Sequence, residues 1–370
     1  MRYDRRVTVV RSVGASVLLA LSGCALLIDI PETPNSDPLD VRRKEVFLQA
    51  ELNPEDPPLI DYPVPITIVG DPDIAARARF ENIRFTDEDD EPVAYEIEHY
   101  DPETGSVHAW VKLPVVHPDT TLVHIYYGGP DDPDRNDPSA LWSVDLFAGV
   151  WHLSTEPPYG DSTFGGNKMQ QAADSPPDPI DGAFGNAILF DGGADQHLRI
   201  ADPDDGSLDL GTGSFAVSLW VRVEMSAGAD DVPFAKGGLS DDPPGYGIHM
   251  GTGDWTGSFS DGTTFTGLLI GRQSDFLGAW HFLGIRFNRD SGENVACVFS
   301  DESEGECAAD LVDIDSLDTD ADIAVGTNYE GRIDEIRVYR DLPPRGALLL
   351  EYQAKTKVDF YELGPETVPE

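Results

Sequence analysis

The sequence predicts an all-β protein, with a small N-terminal β-sandwich followed by a larger jelly-roll β-sandwich. Three observations carry that expectation. Apolar residues recur at alternate positions in short runs, as at Val46, Leu48, Ala50 and Leu52, or from Phe215 through Val217, Leu219 and Val221 to Val223; this is the period of half-buried strands. Gly, Pro and Asp separate the runs, as in Asp101-Pro-Glu-Thr-Gly105 and Gly128-Gly-Pro-Asp131, and these residues favour turns. A single stretch reads as helix, Pro343 to Gln353, with Asp341 as cap and Leu348, Leu349 and Tyr352 as its apolar face.

In chain order, six short strands are expected around 46–52, 64–68, 83–85, 93–97, 107–113 and 122–127. Six strands in such a short span suit a small sandwich. After a Gly/Pro/Asp-rich junction, strands resume at 184–192, 198–200 and 215–223. They continue at 246–250, 265–270, 280–287, 294–300, 322–326 and 332–339, and 358–363 closes the chain. That inventory is too long for an immunoglobulin-like unit and fits a two-sheet jelly roll.

The first residues follow different rules. Arg2, Arg5, Arg6 and Arg11 precede an apolar run from Ser12 to Leu21, and Ser22-Gly23-Cys24 follows. A basic segment, a short apolar segment and small residues at a cut site are the parts of a secretory signal. The run is far short of the roughly 20 residues that span a bilayer, which disfavours an uncleaved anchor. Leu21-Ser22-Gly23-Cys24 resembles the lipobox of bacterial lipoproteins. The resemblance implies a signal peptide over 1–23, lipid attachment and acylation (palmitate) at Cys24, and membrane anchoring in the bacterial cell envelope. Ala25, where an Asp would favour inner-membrane retention, points to the outer membrane. Residues 24–40 are proline-rich and polar and read as a tether. The expected domains are then 41–145 for the small sandwich and 146–370 for the jelly roll.

The chain carries 25 basic and 68 acidic residues, a net charge of −43. Nucleic-acid binding depends on basic groups neutralising phosphates, so such a surface sets it aside. The acids suggest either calcium binding or a solubility adaptation, and their spread along the whole chain favours solubility. With Cys24 given to lipid, Cys297 and Cys307 remain. In an exported compartment a nearby pair across a Gly-containing turn reads as a disulfide clamping a hairpin; free thiols are the alternative.

Two stretches carry family resemblances. Ile83-Arg-Phe-Thr-Asp87, Tyr95-Glu-Ile-Glu98, Ala109-Trp-Val-Lys-Leu-Pro114 and Ile125-Tyr-Tyr-Gly128 together resemble the bacterial domain of unknown function 2341, which brings no accepted activity. From Phe147 to the C-terminus, Phe184-Gly-Asn-Ala-Ile-Leu-Phe-Asp-Gly192, Phe215-Ala-Val-Ser-Leu-Trp-Val221, Trp280-His281 and Gly331-Arg-Ile-Asp-Glu-Ile-Arg-Val-Tyr339 resemble the concanavalin A-like, laminin-G-like domain. That resemblance implies binding of sugars or proteins, often with calcium, and in some relatives glycan hydrolysis.

Hydrolysis is not expected here. Glycosidases of that fold place Glu-x-Asp-x-(x)-Glu on one strand to bring two carboxyls together. At Arg332-Ile-Asp334-Glu-Ile-Arg337 the two glutamate positions are arginine and only Asp334 remains. Ile333, Ile336 and Val338 are expected to pack, leaving the charged residues outside the core. The eight histidines show no ligand spacing and read as surface or strand residues. For binding, Trp255 and Phe259, with Asp254, lie among glycines, and an aromatic face on a loop can stack on a sugar; the alternative is that Trp255 covers the sandwich edge. Trp110, Trp220 and Trp280 lie within strand patterns and are expected to pack. Asp313, Asp315, Asp318, Asp320 and Asp322 could supply several of the 6–8 oxygens that calcium takes, or be a solvated connection. The expected function is a non-catalytic, lipid-anchored binding protein for a glycan or envelope protein. A structural envelope component is the second reading, and a degenerate glycan hydrolase the third.

Overall fold

The structure, a computed structural model, describes residues 40–132, 136–154, 159–171, 178–193, 196–224, 231–240, 243–250, 253–290, 294–309, 311 and 313–369. Cys24, the leader and nearly all of the tether lie outside the described residues.

The small sandwich is built from β1 (Arg42–Gln49), β2 (Leu59–Ile68), β3 (Arg84–Thr86), β4 (Tyr95–Asp101), β5 (Ser106–Val116) and β6 (Thr120–Tyr127). Two short helices accompany it, α1 (Pro72–Arg77) and α2 (Pro138–Leu141). Sequence reading missed both, although each opens with Pro after an Asp whose side chain accepts from first-turn N–H groups, a recognised helix start.

The large sandwich begins with β7 (Phe147–Trp151), β8 (Gln170–Gln171), β9 (Asp178–Asp181), β10 (Asn186–Asp191) and β11 (Leu198–Ile200). Then come β12 (Phe215–Val223), β13 (Val232–Lys236), β14 (Gly245–Met250), β15 (Asp254–Ser260) and β16 (Phe265–Arg272). It is completed by β17 (His281–Asn288), β18 (Val295–Ser300), β19 (Ser303–Ala308), β20 (Ile323–Thr327) and β21 (Glu330–Tyr339). Helix α3 (Arg345–Thr356) and strand β22 (Tyr361–Leu363) end the chain.

One large sheet runs β19-β18-β17-β12-β21-β10-β9, with β7 also on β21, and the facing one runs β16-β15-β14-β13-β20-β11-β8. Phe190, Phe215, Leu219, Ile285, Val298, Ile323 and Ile333 fill the space between them. The all-β architecture expected from the sequence is the observed one. Cys297 and Cys307 are direct partners across β18 and β19 and form the expected disulfide, with their Cα atoms 4.1 Å apart.

The alternation in β12 predicts one wet face, and the structure has none. Ala216, Ser218 and Trp220, on the outer side, are as buried as the inward Val217 and Leu219. Ala216, Trp220, Phe282, Phe299 and Tyr339 belong to the same apolar cluster as the small-sandwich residues Val64, Ile66, Trp110 and Val111 and the α3 residues Ala347 and Leu350. The small sandwich and α3 therefore cover the outer face of one large sheet.

The chain end corrects the expected domain boundary. Residues 146–370 do not all belong to the large sandwich, because β22 pairs antiparallel with β1, Val46 opposite Leu363 and Leu48 opposite Tyr361. This strand completes the small sheet β22-β1-β6-β3, which packs against β2-β5-β4. Phe360 is fully buried beside it, worth about 1.5–3 kcal/mol for a side chain of this size. Helix α3 also starts later than expected, at Arg345 with Pro344 as its cap; Asp341 instead accepts from the adjacent Leu342 N–H at 2.7 Å.

Candidate functional site

The structure relocates the residues singled out from sequence. Trp255 and Phe259 are not on a loop: they lie in β15 and are both fully buried, Trp255 against Tyr329 and Phe259 against Phe215 and Phe287. Gly257 between them is a strand residue, and it has no Cβ because Val298 and Ile285 occupy that space. Neither ring offers a face to a sugar, and Asp254 stands exposed at the strand start without them.

The acidic run is also redirected. Ile314 and Leu317 anchor the segment in the core, so the intervening carboxylates turn outward to different partners. Asp318 accepts from the Gly211 N–H, and Asp322 accepts from the Asp202 N–H and pairs with Arg199 at 2.6 Å. Asp313, Asp315 and Asp320 are exposed. Among the described residues, none of these acids belongs to a group of three converging metal-ligating side chains. Asp318 and Asp322 brace a loop.

The charged residues that converge are those expected outside the core. Asp334, Glu335 and Arg337 on β21 are 0%, 0% and 1% exposed. The β12–β21 register shifts between Ser218 and Trp220, and Glu335 has φ +51°. Such a bulge puts two successive residues on one side of a strand. Ile333, Ile336 and Val338 consequently enter the large core, while Asp334, Glu335, Arg337 and Tyr339 face the small sandwich.

There they meet residues from four other elements. His152, just after β7, lies with Nδ1 2.8 Å from Glu335 Oε1 and Nε2 3.2 Å from Glu96 Oε2 on β4. Trp142 Nε1 and Ser162 Oγ each donate to Glu96 at 2.7 Å. Arg337 donates to Glu335 and, at 2.6 Å, to Glu351 of α3, which also accepts from Trp220 Nε1. Its guanidinium lies 4.2 Å from the centre of the Trp110 ring, a cation–π contact. Asp334 accepts from the Ala183 and Phe184 N–H groups at 2.8 and 3.0 Å.

The surroundings set each protonation state. Burial disfavours the His152 imidazolium, yet the charges of Glu335 and Glu96 outweigh it and hold its pKa well above the usual imidazole value. Burial raises Glu96 and Glu335 too, but the His152 charge, together with Arg337 for Glu335, leaves both below the usual carboxylate range. Glu98, 3.9 Å from His152, is pushed well up by burial and by repulsion from Glu335, and Asp334 is raised for the same reasons. Both nitrogens of His152 are engaged, and the cluster is sealed by Trp110, Trp142, Phe184 and Trp220. It is an ionic lock between the sandwiches.

A groove of about 540 Å³ opens beside the lock. Thr67 of β2, Val69 just past its end and His108 of β5 form one wall, the Gly182–Gly185 turn a second, and Ala354, Lys355, Lys357, Val358 and Tyr361 the third. The turn separates groove from lock. Gly185 has φ +49°, and a Cβ there would lie 2.2 Å from Glu98 Oε1, so glycine is required by both backbone and space. His108 Nδ1 is 3.1 Å from Thr67 Oγ1. Burial, with the charges of His99 and Lys355, pushes the His108 pKa down to about 4. Sequence reading missed this site because its walls come from three distant segments, 67–108, 182–185 and 354–361.

Residues 79–152 match the family described as "Domain of unknown function (DUF2341)". The match begins in the small sandwich, runs through β7 and ends on His152. No curated protein matches the chain in sequence. Among solved structures, the binding domain of Paraclostridial Mosquitocidal Protein 1 is similar over 57% of this chain and 52% of its own, at 11% identity and TM-score 0.46. The receptor binding domain of botulinum neurotoxin D aligns over 58% and 54%, at 10% identity and TM-score 0.47. The binding domain of botulinum neurotoxin serotype G aligns over 57% and 51%, at 10% identity and TM-score 0.45. The chain thus spans about half the length of these structures.

Proposed function

We propose that this chain is a non-catalytic binding protein of the bacterial cell envelope, anchored through lipid at Cys24, that holds a glycan or an envelope protein. The observation that supports it best is the seam groove. It is concave, as ligand sites are, it joins both sandwiches, and Thr67, His108 and Lys355 bring hydrogen-bonding groups to it from β2, β5 and α3. The groups suited to acid–base chemistry, His152, Glu98 and Glu335, are consumed in the sealed lock, with both ring nitrogens of His152 engaged. A catalytic base must reach the proton it takes, and these cannot touch a solute without the sandwiches parting.

A glycan array probed with the full chain, purified in unlipidated form, tests the reading. Binding to a defined subset of glycans, lost on His108→Ala at unchanged melting temperature, is the expected result. No bound glycan, together with no envelope protein captured by crosslinking from the groove, would contradict it.

A further inference from the structure

Resting on that reading, we propose that the seam groove takes an anionic saccharide, its carboxylate or sulfate held by the Lys355 ammonium and its hydroxyls by His108 and Thr67. The first support is the treatment of lysines in this acidic molecule. The chain has 68 acids against 25 bases. Lys44 pairs with Asp71 and Asp73, Lys236 with Asp202 and Asp209, and Lys357 with Glu51. Among the described residues Lys112 donates to the Ala140 carbonyl and Lys168 lies exposed in solvent without an acid, so what sets Lys355 apart is burial without a partner. Lys355, half-buried in the last turn of α3, makes no hydrogen bond or ion pair among the described residues. Its position suits the helix dipole, but that does not account for an ammonium placed on a groove without a hydrogen-bonded acid. Burial lowers its pKa and the nearby Asp334 partly restores it, so the site favours an anion that would hold the lysine charged.

The rest of the groove fits the remainder of a sugar. His108, neutral with its pKa near 4, brings no second charge. With Thr67 engaging its Nδ1, its other ring nitrogen is available as a hydroxyl partner. Val69 and Val358, 79% and 103% exposed, stand at the lips as apolar contacts for C–H faces. The volume of about 540 Å³ lies in the range of small-molecule sites. Because the whole molecule is strongly negative, an anion must be captured by this local contact and not by the long-range field.

Calorimetry at fixed salt separates this inference from the broader one. The probes are a uronic-acid hexasaccharide, its carboxyl-reduced neutral counterpart and a sulfated form of that neutral chain, each against the full chain and the Lys355→Met and Lys355→Arg variants. Met keeps the aliphatic stem, and equal melting temperatures verify folding. The wild type should bind at least one anionic form about tenfold more tightly than the neutral one. That ratio should fall to near one in Lys355→Met and be largely restored by Lys355→Arg. Equal binding of all three forms, or a ratio that survives Lys355→Met, overturns the anion while leaving glycan binding in place. Failure of all three probes overturns the inference, and failure across the glycan array removes the broader reading for glycans as well.

Discussion

At the scale of residues, the seam turns on one bulge. Ile333-Asp334-Glu335-Ile336-Arg337-Val338 reads as alternation with charges in water, and that pattern correctly places Ile333, Ile336 and Val338 inside. A left-handed residue at Glu335 and a covering sandwich are not written in the alternation, so the burial of the charges was not legible. His152 belongs to the same lesson, since its partners Glu96 and Glu335 lie 56 and 183 residues away. Removing it takes the imidazolium from buried Glu335, which keeps Arg337, and from the partly buried Glu96, and breaking a buried ion pair costs about 3–5 kcal/mol. His152→Gln should lower stability by an amount of that order. The pH dependence has a definite sign. A histidine raised in the folded state stabilises fully below its unfolded value of about 6.5, and that contribution is lost as pH rises through the raised value. Glu96 and Glu335, lowered in the folded state, contribute above about pH 4.3 and lose that contribution as pH falls. The melting-temperature gap between wild type and His152→Gln should therefore be wide near pH 6 and narrow above about pH 7. A gap constant from pH 6 to 9 would show that His152 is not held as an imidazolium.

At the scale of elements, strand positions were largely legible from period and turn chemistry, whereas strand partners were not. Trp255 shows the limit: glycines on both sides suggest a loop, yet Gly257 is a strand residue that yields its side-chain volume to Ile285 and Val298. Cys297 and Cys307 show the opposite case, where proximity in sequence and a turn between them fixed the pairing. The closing strand was expected, but its return to β1 depends on α3 crossing the seam, which no local pattern states. Phe360 and the β22 pairing cover Val46 and Leu48, both fully buried. Deleting residues 358–370 should expose this edge and unfold the small sandwich, seen as loss of hydrogen-exchange protection in β1 and β6. A truncated chain with wild-type protection there would mean that β22 only decorates the edge.

At the scale of the whole molecule, two sandwiches legible as separate domains form one body. A continuous apolar cluster joins them, an ionic lock sits within it, and the chain end belongs to the unit opposite the one it leaves. The groove exists only because that union exists, so the binding site and the domain arrangement stand or fall together. Composition alone does not mark the site, because against a net charge of −43 Lys355 stands out only by being half-buried without a partner. Its location came only from the fold. The most direct measurement is hydrogen exchange on the full unlipidated chain, with and without the highest-scoring glycan of the array. New protection is expected in the Gly182–Gly185 turn, the end of α3 and the β5 segment around His108, with the outer face of β14–β16 unchanged. Protection confined to β14–β16, or none at the seam despite saturating glycan, would contradict binding at the seam.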